Sequence, residues 1–156
     1  MRQSPDNLLP ENWHKYFAIE ANNAAWSMSE AVADVSLRID LLDAAHAAAW
    51  HWRVVGKEIN QMRSVMLLAL VHARMNMGPS AWAYAERMRM YFTDKNDTPD
   101  WELAFTHTVH ALAARAFGKT AEFQASRQAA IASIALIRDK NDREVVLKTF
   151  QHIAHN

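Results

Sequence analysis

Glu20 places a carboxylate on a helix face otherwise occupied by Trp13, Phe17 and Ala24. On the next apolar stretch His46 shares a face with Leu42, Ala49 and Trp50, and Arg53 continues that face. If the two helices pack antiparallel, Glu20 can approach His46 or Arg53, with Asn23 and Asp43 at the edge. Two chemistries fit these residue types. Buried charges persist mainly when paired, so the group can be an ion pair that fixes the register of the first two helices. Alternatively, Glu20, Asp43, His46 and Arg53 line a small ligand-binding pocket, with Glu20 binding or abstracting a proton and His46 or Arg53 holding an anionic group. Glu20, Asp43 and His46 are also the candidate set for a metal, which needs about three converging ligands; the expectation is no metal and no cofactor.

The other histidines form no HExxH or HxxxH pattern. His107 and His110 are an i,i+3 pair, and helix phase turns His110 away from the face of Trp101, Phe105 and Leu112, which predicts a solvated ring. His14, His152 and His155 sit near the chain ends. Cysteine is absent, no GxSxG elbow occurs, and no motif pairs a serine with a base, so nucleophilic catalysis finds no support. Gly118 to Thr120 reads GKT but lacks the first glycine of a phosphate loop and a preceding strand, and is read as a helix turn. A second candidate surface is Trp82, Tyr84, Arg87 and Arg89, where Met88 and Met90 interleave with arginines and cannot all be buried. Aromatic and arginine side chains are the ones that anchor interfaces, so these four are the candidate partner-binding face.

These residues must be carried by helices. Gly and Pro number only 3 and 4, and they fall as punctuation. Pro10 can open the first helix, Gly56 closes the second, Gly78-Pro79 separates the third from the fourth, and Gly118 ends the fifth. Thr98-Pro99-Asp100 ends a polar loop and can cap the helix after it, while Asn141 with Glu144 resembles a capping box for the last. Seven antiparallel helices result, preceded by an N-terminal tail over residues 1–9, with residues 10–156 as one all-α domain. The run Ala44 to Trp52 is apolar nearly all round and is expected to be central.

A chain of 156 residues can bury a core without staples, and 51% hydrophobic against 22% charged residues is the composition of a globular protein. Lys plus Arg equals Asp plus Glu at 17 each, so no net field holds a polyanion, and nucleic acid is not the expected partner. No apolar stretch approaches the ~20 residues of a membrane span. The first residues lack the basic start and apolar block of a secretory signal, so the cytoplasm is the expected location.

The chain also compares with itself. VMLLALVHARMNMGPSAWAYAERM places Leu68, Ala69, Asn76, Ala81 and Ala85 where a tetratricopeptide repeat has its first-helix contacts, turn residue and small second-helix positions. One repeat later, HALAARAFGKTAEFQASRQAA sets Ala111 against Ala69 and Gly118 against Asn76, with Phe123 and Arg127 in place of the small residues. Asn76 is expected in the left-handed turn conformation. Four segments, FAIEANNAAW, DAAHAAAWHW, the stretch from Val54 through NQMRSVMLLALVHARMNMG, and DWELAF, resemble a group of uncharacterised bacterial tetratricopeptide-like proteins. That resemblance implies an α-α superhelix, a right-handed stack of helix pairs, and brings no reaction, ligand or catalytic residue. The expected function is a non-catalytic interaction module binding a protein or peptide partner, or a second copy that covers exposed Trp and Met surface. The alternative is a small-molecule-binding protein or enzyme with its polar site between the first two helices.

Overall fold

The computed structural model describes residues 9–30 and 35–154. Of the expected N-terminal tail only Leu9 falls within these, and His155 lies outside them. Seven α-helices and no strand occupy the described residues: α1 (Pro10–Glu30), α2 (Val35–Val55), α3 (Glu58–Arg74), α4 (Gly78–Thr93), α5 (Asp100–Ala116), α6 (Thr120–Leu136) and α7 (Lys140–Ala154). No helix among them is long and apolar enough to cross a membrane.

The breaks follow from local backbone chemistry. Pro10 opens α1, where a missing N–H costs nothing. Asn76 has φ 55° and Gly118 has φ 74°, and each closes its helix in the same way. The Met77 amide bonds the His72 carbonyl at 2.9 Å, and the Lys119 amide bonds the Ala114 carbonyl at 2.8 Å. Both are Schellman closures, in which a left-handed residue lets the chain turn back and satisfy its last carbonyls. The two turns occupy the repeat register expected from the sequence, and Ala69 and Ala111 are both fully buried.

Two caps differ from expectation. The Thr98 hydroxyl donates to the Phe92 carbonyl at 2.7 Å, tying the loop to α4 instead of capping α5. At α7 the Asp139 carboxylate accepts the Asp142 amide at 2.9 Å, so Asp139 and not Asn141 caps the helix, while Glu144 reaches Lys140 at 3.8 Å. At α7 a carboxylate one residue before the helix has the better reach, whereas α5 starts after Pro99 with no side-chain cap.

Each helix packs on its successor through α1–α2, α2–α3, α3–α4, α4–α5 and α5–α6, and the odd-numbered helices also touch in sequence, α1 to α3 to α5 to α7. One core cluster joins α3, α4, α5 and α7 around Met66, Leu70, Met88, Phe92, Phe105 and Ile153. A second joins α1, α2 and α3 around Ala25, Leu41, Ala45, Leu67 and Val71. The central helices are therefore α3, buried without a break from Ser64 to Ala73, and α5. The Ala44 to Trp52 run, expected to be central, buries Ala45, Ala48 and Ala49 but leaves Trp50 59% exposed. Its alanines supply the buried surface, while the bulkier Trp50 is left to solvent and Trp52 is half-buried.

Arginines from neighbouring elements close several helix ends. Arg74 donates to the Ser29 carbonyl of α1, Arg38 to the Arg74 carbonyl at 3.3 Å, and Arg143 to the Ile137 carbonyl after α6. Arg115 donates to the His152 and Ile153 carbonyls of α7 at 2.7 and 3.0 Å. A cation among the free carbonyls of a helix C-terminus satisfies both the hydrogen bonds and the helix dipole. These bonds tie α3 to α1 and α2, and α5 to α7.

Candidate functional site

A cavity of about 430 Å³ opens where the odd-numbered helices meet, with Trp52 of α2 completing its wall. Its lining is mostly aromatic: Trp26 from α1, Trp52, and Trp101 and Phe105 from α5. Trp26 meets Phe105 edge to face at 5.3 Å, which fixes both rings. Met66 from α3 and Val145 at the α7 rim complete the apolar surface. Gly56 is needed here for its missing side chain. A Cβ at that position would lie 2.5 Å from the Trp52 carbonyl oxygen and 3.0 Å from Asn60 Cβ, so only glycine lets Trp52 and Asn60 line one wall.

The polar part of the cavity is one ion pair and two carboxamides. Glu102 is 1% exposed in the first turn of α5, where the helix dipole favours a carboxylate. Arg63 of α3 reaches across and binds it twice, Nε to Oε1 at 2.6 Å and Nη2 to Oε2 at 3.0 Å. Such a bidentate pair fixes the plane of the guanidinium as well as its position. The Glu102 hydrogen bond raises the Arg63 pKa above its ordinary value, against the opposing effect of burial. The guanidinium carbon lies 5.7 Å from the centre of the Trp101 ring. Asn60 uses its Oδ1 to accept the Lys57 amide at 3.0 Å, leaving its NH₂ free to serve the cavity, and Asn22 of α1 joins the lining.

The residues singled out in the sequence are placed elsewhere. Glu20 is half-buried, Asp43 and Arg53 are exposed, and none of the three makes a hydrogen bond or ion pair among the described residues. The expected pairing of Glu20 with His46 or Arg53 does not form. What crosses from α1 to α2 instead is His14 to His51, Nδ1 to Nδ1 at 2.8 Å, with Phe17 stacked 5.6 Å from His51. Burial, and then His14, lower the His51 pKa. His46 turns to α3, its Nε2 lying 3.0 Å from His72 Nε2. No group of three His, Cys, Asp or Glu that could hold a metal occurs among the described residues.

His72 shows how such a contact is ordered. Burial, and then His46, lower its pKa to about 4, so the ring is neutral. The Ser80 hydroxyl donates to the Met77 carbonyl at 3.1 Å. His72 Nδ1–H then donates to Ser80 Oγ at 2.6 Å, and its Nε2 accepts from His46, a tautomer assigned from these partners.

The expected face of Trp82, Tyr84, Arg87 and Arg89 is split by helix geometry, since residues two apart lie about 200° apart around the axis. Trp82 stacks on His110 at 4.7 Å beneath Lys119, whereas Tyr84 packs against His72 at 5.2 Å on the other side of α4. Arg89 binds Glu86 at 3.1 Å, and Arg87 is exposed.

His110, expected to be solvated, is 4% exposed. It bonds Glu86 through Nε2 and Ser126 through Nδ1, each at 2.6 Å. A carboxylate, an imidazole and a hydroxyl in line are the parts of a nucleophile relay, and no sequence motif announces them because the three are far apart in the chain. Ser126 is itself only 7% exposed, and the chain of bonds joins α4, α5 and α6. Burial lowers the His110 pKa, outweighing its bond to Glu86. Burial pushes the Glu86 carboxyl up, but the hydrogen bonds from His110 and Arg89 more than offset this and hold it below the usual range.

Comparison with protein-family models, curated proteins and solved structures gives no match for this chain.

Proposed function

We propose that this protein is a non-catalytic recognition module, a tetratricopeptide-like stack of helix pairs that receives a protein or peptide partner in the aromatic cavity. The observation that carries the reading is the cavity itself. It lies on the side where α1, α3, α5 and α7 follow one another, and three indoles and a phenylalanine line it. Its two charged groups hold each other in place, which sets a fixed polar edge beside the aromatic lining, the make-up of a ligand pocket. The twin Schellman turns one repeat apart, and the odd-to-odd helix contacts, support a right-handed α-α superhelix as the frame. Balanced charge supports a protein partner over nucleic acid, and the cytoplasm as its setting goes with this reading.

A cavity of this size also suits a small molecule, which keeps a soluble ligand as the second reading. Selection of a displayed random-peptide library on the immobilised protein tests the first. The expected result is enrichment of peptides carrying an apolar or aromatic residue, and loss of their binding in Val145→Trp, which fills the rim from an exposed position. No enrichment over bare support, or equal binding by the blocked variant, would contradict the proposal.

A further inference from the structure

The unused half of the Arg63 guanidinium is the most informative group in the cavity. A guanidinium carries five N–H donors in one plane, and Glu102 takes one from Nε and one from Nη2. The other three have no further acceptor among the described residues. They form the outer edge of the fork, and the Arg63 side chain is 45% exposed at the cavity wall. We propose that this edge receives a carboxylate carried on an apolar, ring-bearing body, the ring lying among the indoles. The inference rests on the recognition reading above and names the chemistry of what is recognised.

Three features point to an anion. The Glu102 side chain is only 2% exposed and both of its oxygens are bonded to the guanidinium, so it orients Arg63 and its own charge is already matched. The free edge of the fork has the planar spacing that two carboxylate oxygens match. Asn60, whose oxygen is already bonded to the Lys57 amide, offers only donors. The guanidinium is held in place beforehand by Glu102 and by Trp101, so little side-chain freedom is lost when the ligand arrives. The apolar body is fixed by the rest of the lining, since Trp26, Trp52 and Phe105 add no charged group to that of the Arg63–Glu102 pair.

Two sources carry this chemistry, a small free acid and the C-terminus of a peptide. Both are tested by intrinsic fluorescence and calorimetry on the full chain near neutral pH. The probes are N-acetyl-phenylalanine and its carboxamide, and tetraglycyl-phenylalanine with a free or an amidated terminus. The expected result is that the acids bind about tenfold or more tightly than their amides. Preference for the blocked amino acid assigns the small acid, preference for the peptide assigns the terminus, and either supports the proposal. Arg63→Lys keeps a cation for Glu102 but has no second fork, so it should unfold near the wild-type temperature and lose the preference for acid over amide. If it does not fold, Arg63→Met with Glu102→Met removes the pair together and makes the same comparison. Equal affinity for acid and amide in the wild-type protein would overturn the carboxylate while leaving the recognition reading in place. Failure of both acids to bind, with library peptides still held in the cavity, would overturn it too; failure of the library peptides as well would remove the reading beneath it.

Discussion

Removing the two partners of the Arg63–Glu102 pair one at a time should give unequal losses, because they are unequally buried. The Glu102 side chain is 2% exposed and the Arg63 side chain 45%. In Arg63→Met a carboxylate remains in the core with no counter-charge, a defect worth about 3–5 kcal/mol. In Glu102→Met the freed guanidinium can turn to water, so the loss is about 1–2 kcal/mol of net hydrogen bonding. In the double variant neither charge remains and stability returns to within about 1 kcal/mol of wild type. For a chain of this length the Arg63→Met loss is about 10 °C in melting temperature. Urea unfolding followed by circular dichroism, with the slope checked for constancy, measures all three. Equal single losses, or a larger loss for Glu102→Met, would show that burial does not govern this pair.

Four histidines make the fold sensitive to acid. His72 titrates near pH 4 in the folded protein against about 6.5 unfolded, and burial also lowers His107, His110 and His51. Below pH 6.5 the unfolded chain takes up protons that folded His72 refuses, so its contribution is complete above pH 6.5 and is lost as pH falls towards 4, by roughly 2–3 kcal/mol after allowance for its partly open neighbour. Stability curves of wild type and His72→Gln between these limits should diverge in slope, and parallel curves would count against the assignment. Gly118→Val should cost about 1–2 kcal/mol, because φ 74° is strained for a branched residue although the space is open; thermal melts would show it. Gly56→Ala should weaken ligand binding by displacing Trp52 and Asn60, which titration of the selected peptides can read. Arg115→Ala should speed amide exchange in the last turn of α7, whose carbonyls lose their cap.

The helices were legible where the chain's own backbone decides them. Pro10, Gly56, Asn76 and Gly118 act within a turn of their position, and the repeat register of Asn76 with Gly118 reappears as twin turns. Side-chain partners were not legible, because they depend on which helix lies opposite. Glu20 shares a face with Trp13 and Phe17, yet Phe17 is itself 43% exposed, so that face was never the core. Helix phase points His110 away from the apolar face, but α5 is packed on most sides, so that phase leads into neighbouring helices and not into solvent. Glu102 stood within DWELAF and Arg63 within NQMRSVM, in plain view, but only the packing of α3 on α5 makes them a pair. The cavity needs five helices at once, which no local pattern announces.

The six tryptophans allow the site to be tested with its control built in. Trp26, Trp52 and Trp101 line the cavity, and Trp13, Trp50 and Trp82 do not. Indole N–H resonances recorded by two-dimensional NMR during titration with the selected peptides should move for the first three and stay in place for the others. Shifts confined to Trp13, Trp50 or Trp82 would place recognition elsewhere and contradict the account.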